Sequence, residues 1–231
     1  MADVVAELIR TFLRDGLSQD LWRSFEKLRR NRLPSSGLHL FPLCVGTKLL
    51  RETQKHPSDQ AVDWLKKSLE LQYSGQAAYN LAWCFDMRIR QDRRRKETEG
   101  AEMFSLYHEN KTEPKAACQL GSYLMDFPED AQLFGLQESP FAKAEELLLR
   151  AESLGVSKAT VNLIRLYEKF NKTGKLIPIL IRVYLQNRDE ALFERICSMI
   201  LDMDDYEALL DLRKTLRSQF FALMQHIANV K

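Results

Sequence analysis

Three stretches of this chain echo one another, and the echo constrains its fold more than any other feature. Ala61, Ala101 and Ala144 each open a run of helical periodicity, and Ala77, Ala116 and Ala159 each begin a second run. A leucine follows four residues later each time, at Leu81, Leu120 and Leu163. First and second alanines stand 16, 15 and 15 positions apart, and the second alanines recur at intervals of 39 and 43. In the clearest copy, Leu147, Leu148, Ala151 and Leu154 step by three and four. Ala159, Leu163, Leu166 and Phe170 do the same, with Gly155 between the runs where a left-handed cap is wanted. One short helical hairpin cannot bury its apolar stripe alone. Copies at a period of roughly 20–50 residues can do so by stacking on each other. Small alanines let helices approach, and the leucine a turn later fills the space between layers.

The pattern at Ala144, Leu148, Ala151, Gly155, Ala159, Leu163 and Tyr167 resembles the Sel-one-like repeat, a subclass of the tetratricopeptide-type helical repeats. The segments 78–82 (AYNLA) and 117–121 (ACQLG) are similar to the first-helix signature of those repeats. The likeness covers roughly residues 58–175. The copy from Ala101 departs from it, with Leu106 where a small residue is usual and Asn110 near the usual glycine. The resemblance implies a right-handed superhelical array of stacked helical hairpins whose concave face holds a partner. The expectation is an all-α chain: an N-terminal helical cap over 1–57, about three repeats over 58–175, and a C-terminal helical cap over 176–231.

Composition agrees with a helical globular chain. Apolar residues make up 45% and charged residues 29%, while 9 glycines and 7 prolines are too few for a turn-rich β fold. A net charge of +2 selects no partner by itself. No apolar run is long enough to span a bilayer, and the first residues lack a secretory signal. Cys44, Cys84, Cys118 and Cys197 are isolated, with no CxxC or Cys/His spacing, and read as small buried hydrophobes in a reducing, cytoplasmic setting.

Along the chain, Val4, Val5, Leu8, Ile9 and Phe12 share one helical face, ended by Gly16. Ser18 or Asp20 caps a second run carrying Leu21, Trp22, Phe25 and Leu28, with Arg29, Arg30 and Arg32 in its last turn. A loop over 33–37 precedes a third helix that should pack under the first repeat; Pro57, Ser58 and Asp59 then break and cap. Residues 88–100 read as a solvated charged connection, and 126–140, of opposite charge, as one folding back through Phe127, Leu133, Phe134 and Leu136. Pro178 suits a first helical turn, Asp189 a cap, and Asp204 the start of a long amphipathic helix to the C-terminus. The acids Asp202, Asp204, Asp205, Glu207 and Asp211 lack a calcium-loop pattern and read as helix-start charges.

No nucleophile elbow, phosphate loop, dinucleotide fingerprint or HExxH pairing occurs, so a non-catalytic protein without cofactor or metal is expected. The family likeness supplies the candidate site. Residues five and one before each aligned leucine share a helical face: Gln76 with Asn80, Lys115 with Gln119, and Lys158 with Asn162, extended by Arg165 and Lys169. That column resembles the carboxylate clamp that some family members use on peptide C-termini. The expected partner is another protein or peptide, singly or within a multiprotein complex. The alternative is a nucleic-acid-associated protein acting through 29–32 and through Arg88, Arg90, Arg93, Arg94, Arg95 and Lys96.

Overall fold

The computed structural model describes residues 2–30, 37–53, 56–110 and 113–201. Among the described residues the α-helices are α1 (Ala2–Asp15), α2 (Gln19–Arg30), α3 (Leu40–Glu52), α4 (Asp59–Leu71), α5 (Gly75–Gln91), α6 (Lys96–Glu109), α7 (Pro114–Asp126), α8 (Pro140–Ser153), α9 (Ser157–Lys169), α10 (Thr173–Asn187) and α11 (Glu190–Leu201). No strand occurs among the described residues. The chain is all-helical, with helices packed in neighbouring pairs within each unit. It divides into two compact units, residues 1–137 and 138–231. That boundary falls after the second of the three echoed hairpins.

All three echoes are helical hairpins: α4–α5, α6–α7 and α8–α9. Their paired landmarks, Ala77 with Leu81, Ala116 with Leu120 and Ala159 with Leu163, are all buried. Each leucine so placed contributes about 1.5–3 kcal/mol of transfer free energy, and each alanine keeps a neighbouring helix close. One register assignment needs correction. Ala101 is exposed, and the buried small residue at that point is Gly100, whose absent Cβ would stand 3.3 Å from the Phe134 ring. The close approach selects glycine there, and it displaces the apparent alanine repeat by one position.

In the first unit, Val5, Leu8, Phe12, Leu21, Phe25, Phe41, Val45 and Trp64 form one core shared by α1 to α4. Gly16 ends α1 at φ +81°, and the Ser18 hydroxyl accepts from the Leu21 amide to start α2. Ser58 caps α4 through the Ala61 amide. The α3–α4 crossing is tight because Gly46 lacks a side chain. A Cβ there would lie 2.8 Å from Leu65 Cγ and 3.3 Å from the Ala61 carbonyl oxygen. Helix α5 packs on α4 and α6 and also touches α3 and α7. The buried Asn110 amide donates to the Gly75 carbonyl at 2.6 Å, fastening the end of α6 to the start of α5.

The connection expected to be a solvated linker is ordered structure. Helix α5 runs to Gln91, a 3-10 turn covers Arg93–Arg95, and α6 begins at Lys96. The segment 126–140 does fold back, through a 3-10 turn at Pro128–Ala131. There Phe134 stacks on Phe104 at 4.9 Å and Phe127 meets Tyr123 at 5.1 Å, while Leu133 stays exposed.

In the second unit, the end of α8 has the left-handed cap foreseen at Gly155, φ +82°. The Val156 amide bonds the Ala151 carbonyl and the Gly155 amide bonds that of Glu152. The same geometry ends α9 with Asn171 at φ +52°. Glu145 accepts from Tyr167 and Lys175, and Glu152 from Thr160 and Arg182, so two carboxylates on α8 hold α9 and α10. Pro178 is not in a first turn but inside α10. Lacking an N–H, it leaves the carbonyl of Gly174, four residues earlier, without its helical hydrogen bond. Asp189 caps α11 through the Ala191 and Leu192 amides. The acidic cluster and the long helix expected beyond 201 lie outside the described residues, as do Arg32 and most of the 33–37 loop.

Candidate binding groove

A groove of about 950 Å³ runs across the first unit. Its lining comes from α1 (Ile9, Leu13), α3 (Leu40, Leu43, Cys44, Thr47, Lys48, Leu50, Arg51), α5 (Gln76, Tyr79, Asn80, Trp83) and the start of α7 (Lys115). The helical period explains the choice: Cys44, Thr47, Lys48 and Arg51 share one face of α3, as Gln76, Tyr79, Asn80 and Trp83 share one face of α5. Aliphatic side chains concentrate at the α1–α3 end, and Leu13 and Leu40 are 54% and 44% exposed.

The polar lining falls into two kinds. The amides are engaged with each other. Gln76 Nε2 donates to Asn80 Oδ1 at 2.9 Å, and Asn80 Nδ2 donates to Thr47 Oγ1 at 2.9 Å, a ladder joining α5 to α3. The cations are not so engaged. Lys48 lies 4.7 Å over the Phe12 ring, and among the described residues none of Lys48, Arg51 and Lys115 makes an ion pair. Among the described residues no Asp or Glu lines the groove. Cys44 is half-buried, and burial raises its thiol pKa despite the pull of Lys48 and Arg51; Cys84 is fully buried and pushed up to about 12.

Three of the eight residues foreseen as partner-binding, Gln76, Asn80 and Lys115, are brought together here. Gln119 is half-buried on α7 with interactions of its own. Lys158, Arg165 and Lys169 are exposed on α9, in the second unit, and each is engaged in an interaction of its own. Asn162 is 1% exposed and satisfied, so its amide faces the interior of that unit. Lys48, Arg51, Tyr79 and Trp83 were missed. Lys48 and Arg51 share the Cys44–Thr47 face of α3, and Tyr79 and Trp83 share the Gln76–Asn80 face of α5, so helical periodicity was the signal.

The six basic residues at 88–96 each pair with an acid, although Arg94 stays largely exposed. Arg88 pairs with Asp59 (2.8 Å) and Glu99 (3.0 Å), and Arg95 also reaches Glu99 (3.1 Å). Arg90 bridges Asp86 (2.5 Å) and Asp126 (2.6 Å), and Arg94 pairs with Asp92 (3.1 Å). At the centre is Asp130, whose side chain is fully buried. It accepts from Tyr123 (2.6 Å), Arg93 (2.6 Å) and Lys96 (3.4 Å). Burial opposes ionisation of Asp130, but the hydrogen bonds from Tyr123 and Arg93 and the two positive charges outweigh it and hold the carboxyl below its usual range. Arg93 also covers the Phe127 ring at 3.9 Å. The two oppositely charged connections thus neutralise each other and clamp α5, α6 and α7.

This chain matches no family model, no curated protein and no solved structure. Geometry therefore carries the functional reading. Among the described residues no group of three His, Cys, Asp or Glu side chains is placed to hold a metal ion, and no helix is long and apolar enough to cross a membrane.

Proposed function

We propose that this chain is a non-catalytic interaction scaffold or adaptor of the Sel-one-like, tetratricopeptide type, acting in the cytoplasm. On this reading its N-terminal unit receives a peptide segment of a partner protein, singly or within a larger complex, in the groove lined by α1, α3, α5 and α7. The observation that carries the reading is the groove itself. It combines an aliphatic end, two aromatic side chains and three cations without ion pairs, at the upper end of the volume range of binding clefts, about 300–1,000 Å³. The nucleic-acid alternative gains no support from 88–96, where every cation already has an acidic partner.

The test is selection of binders from a displayed random-peptide library on the purified chain, followed by hydrogen exchange of the protein with and without a selected peptide. Slower exchange in α3 and α5, with α8 and α9 unchanged, supports the groove. Protection confined to α8 and α9 rejects it.

A further inference from the structure

We infer that the occupant of this groove is an acidic peptide segment, carrying bulky apolar side chains beside two or more carboxylates; the inference rests on the peptide-groove reading above. The first ground is where unpaired positive charge has been left. From α4 to α6, the cations Lys66, Lys67, Arg88, Arg90, Arg93, Arg94, Arg95 and Lys96 all sit within ion-pair distance of an acid. Among the described residues the three that line the groove do not, and no acid lines it.

The second ground is Lys115. Arg51 stands in the last turn of α3, where a cation suits the helix dipole and needs no further reason. Lys115 is the second residue of α7, where a cation opposes the helix dipole, and the N-cap carboxylate of Glu113 accepts from its backbone amide at 3.3 Å. Glu113 offsets the dipole at that end, but among the described residues the Lys115 ammonium itself makes no ion pair, which leaves it open to an anion arriving from outside.

The third ground is that the amides are already used. Gln76 and Asn80 spend their bond on each other and on Thr47, so recognition of an anion falls to Lys48, Arg51 and Lys115. The carboxylates and the apolar contacts then belong to one ligand. Ile9, Leu13, Leu40 and Leu43 offer an aliphatic surface that a sugar-phosphate backbone cannot use, whereas leucine- or phenylalanine-like side chains can. Size agrees: a helix about 10–12 Å wide rising 1.5 Å per residue fills roughly 120–170 Å³ per residue. The groove volume corresponds to about two helical turns of peptide.

The experiment uses the full chain and a displayed library of random twelve-residue peptides, with a selected peptide then synthesised as itself and with every Asp and Glu changed to Asn and Gln. Two protein variants accompany it: Arg51→Glu/Lys115→Glu, which reverses charge on exposed side chains, and Gln76→Trp, which fills the groove without adding charge. The expected result is a selected pool rich in acidic and large apolar residues. Affinity should drop at least tenfold for the neutralised peptide, and by as much for the charge-reversed protein. Selected peptides that are blocked by Gln76→Trp but are neutral or basic, and indifferent to the charge reversal, would overturn this inference and leave the groove reading standing. Absence of any peptide sensitive to Gln76→Trp would overturn both. Binding of fluorescein-labelled oligo-dT at low salt, competing with the peptide and lost on charge reversal, would make the occupant a nucleic acid and overturn the inference as well.

Discussion

Replacing Asp130 by alanine should destabilise the N-terminal unit more than any other single change in the charged connections. The carboxylate is fully buried and serves three donors, Tyr123, Arg93 and Lys96. Removing one member of a buried pair costs about 3–5 kcal/mol when the other charge is stranded. Arg93 is not fully stranded, since its side chain is 33% exposed and keeps Glu129 at 3.4 Å, which moves the cost to the lower end. The buried Tyr123 hydroxyl loses its acceptor, a penalty of about 1–3 kcal/mol that overlaps with the first. A total of about 3 kcal/mol follows from these two effects. With a slope of about 2 kcal/mol per molar urea, the midpoint should fall by about 1.5 M. The assay is urea unfolding followed by tryptophan fluorescence, since Trp22, Trp64 and Trp83 all lie in this unit. Arg94→Ala is the control: its side chain is 92% exposed and pairs only with neighbouring Asp92, so a change within about 0.5 kcal/mol is expected. If Asp130→Ala shifted the midpoint no more than Arg94→Ala, the charged segment would be the solvated connection it resembles in sequence, and the clamp would be refuted.

Other expectations follow from the same contacts. The folded pKa of Asp130 is depressed, so its contribution is complete above the unfolded value and lost as pH falls through the folded one. The stability gap between wild type and Asp130→Asn should be flat from neutrality to about pH 4 and close below it; a gap that widened in acid would contradict the sign. Gly46→Ala gains up to about 1 kcal/mol of helix propensity but drives a Cβ into Leu65 and the Ala61 carbonyl, costing about 1–3 kcal/mol. Net destabilisation, read as a lowered thermal midpoint, is expected. Asn110→Ala should cost about 1–2 kcal/mol by orphaning the Gly75 carbonyl and emptying a buried site. Native-state alkylation at neutral pH should reach Cys44 slowly and spare Cys84 and Cys118 until the chain unfolds, with mass spectrometry locating the adduct.

The helical echoes were legible because burial of a stripe leaves a periodic mark. Ala77, Ala116 and Ala159, with their leucines, occupy the interior positions their spacing implied. Where a close contact is made by the absence of a side chain, no such mark exists, and Gly100 passed for a linker residue while Ala101 took its place in the pattern. The charged connections were harder for a different reason. Composition registers that 88–96 is basic and 126–140 acidic, but not that Asp130 is buried beneath Arg93 and Lys96, because pairing across more than 30 residues leaves no local signature. The candidate site was half legible. Gln76, Asn80 and Lys115 came from the repeat register, whereas Lys48 and Arg51 sit on α3, outside the three echoed hairpins.

Two populations of cations, one holding the fold and one left for a ligand, are the central claim, and thermal unfolding with and without a selected acidic peptide tests it most directly. For Arg51→Glu/Lys115→Glu the expected result is a midpoint equal to wild type without peptide and no rise when peptide is added, against a clear rise for wild type. A variant that melted early on its own yet still gained stability from the peptide would show that these groove cations serve the fold and not the ligand.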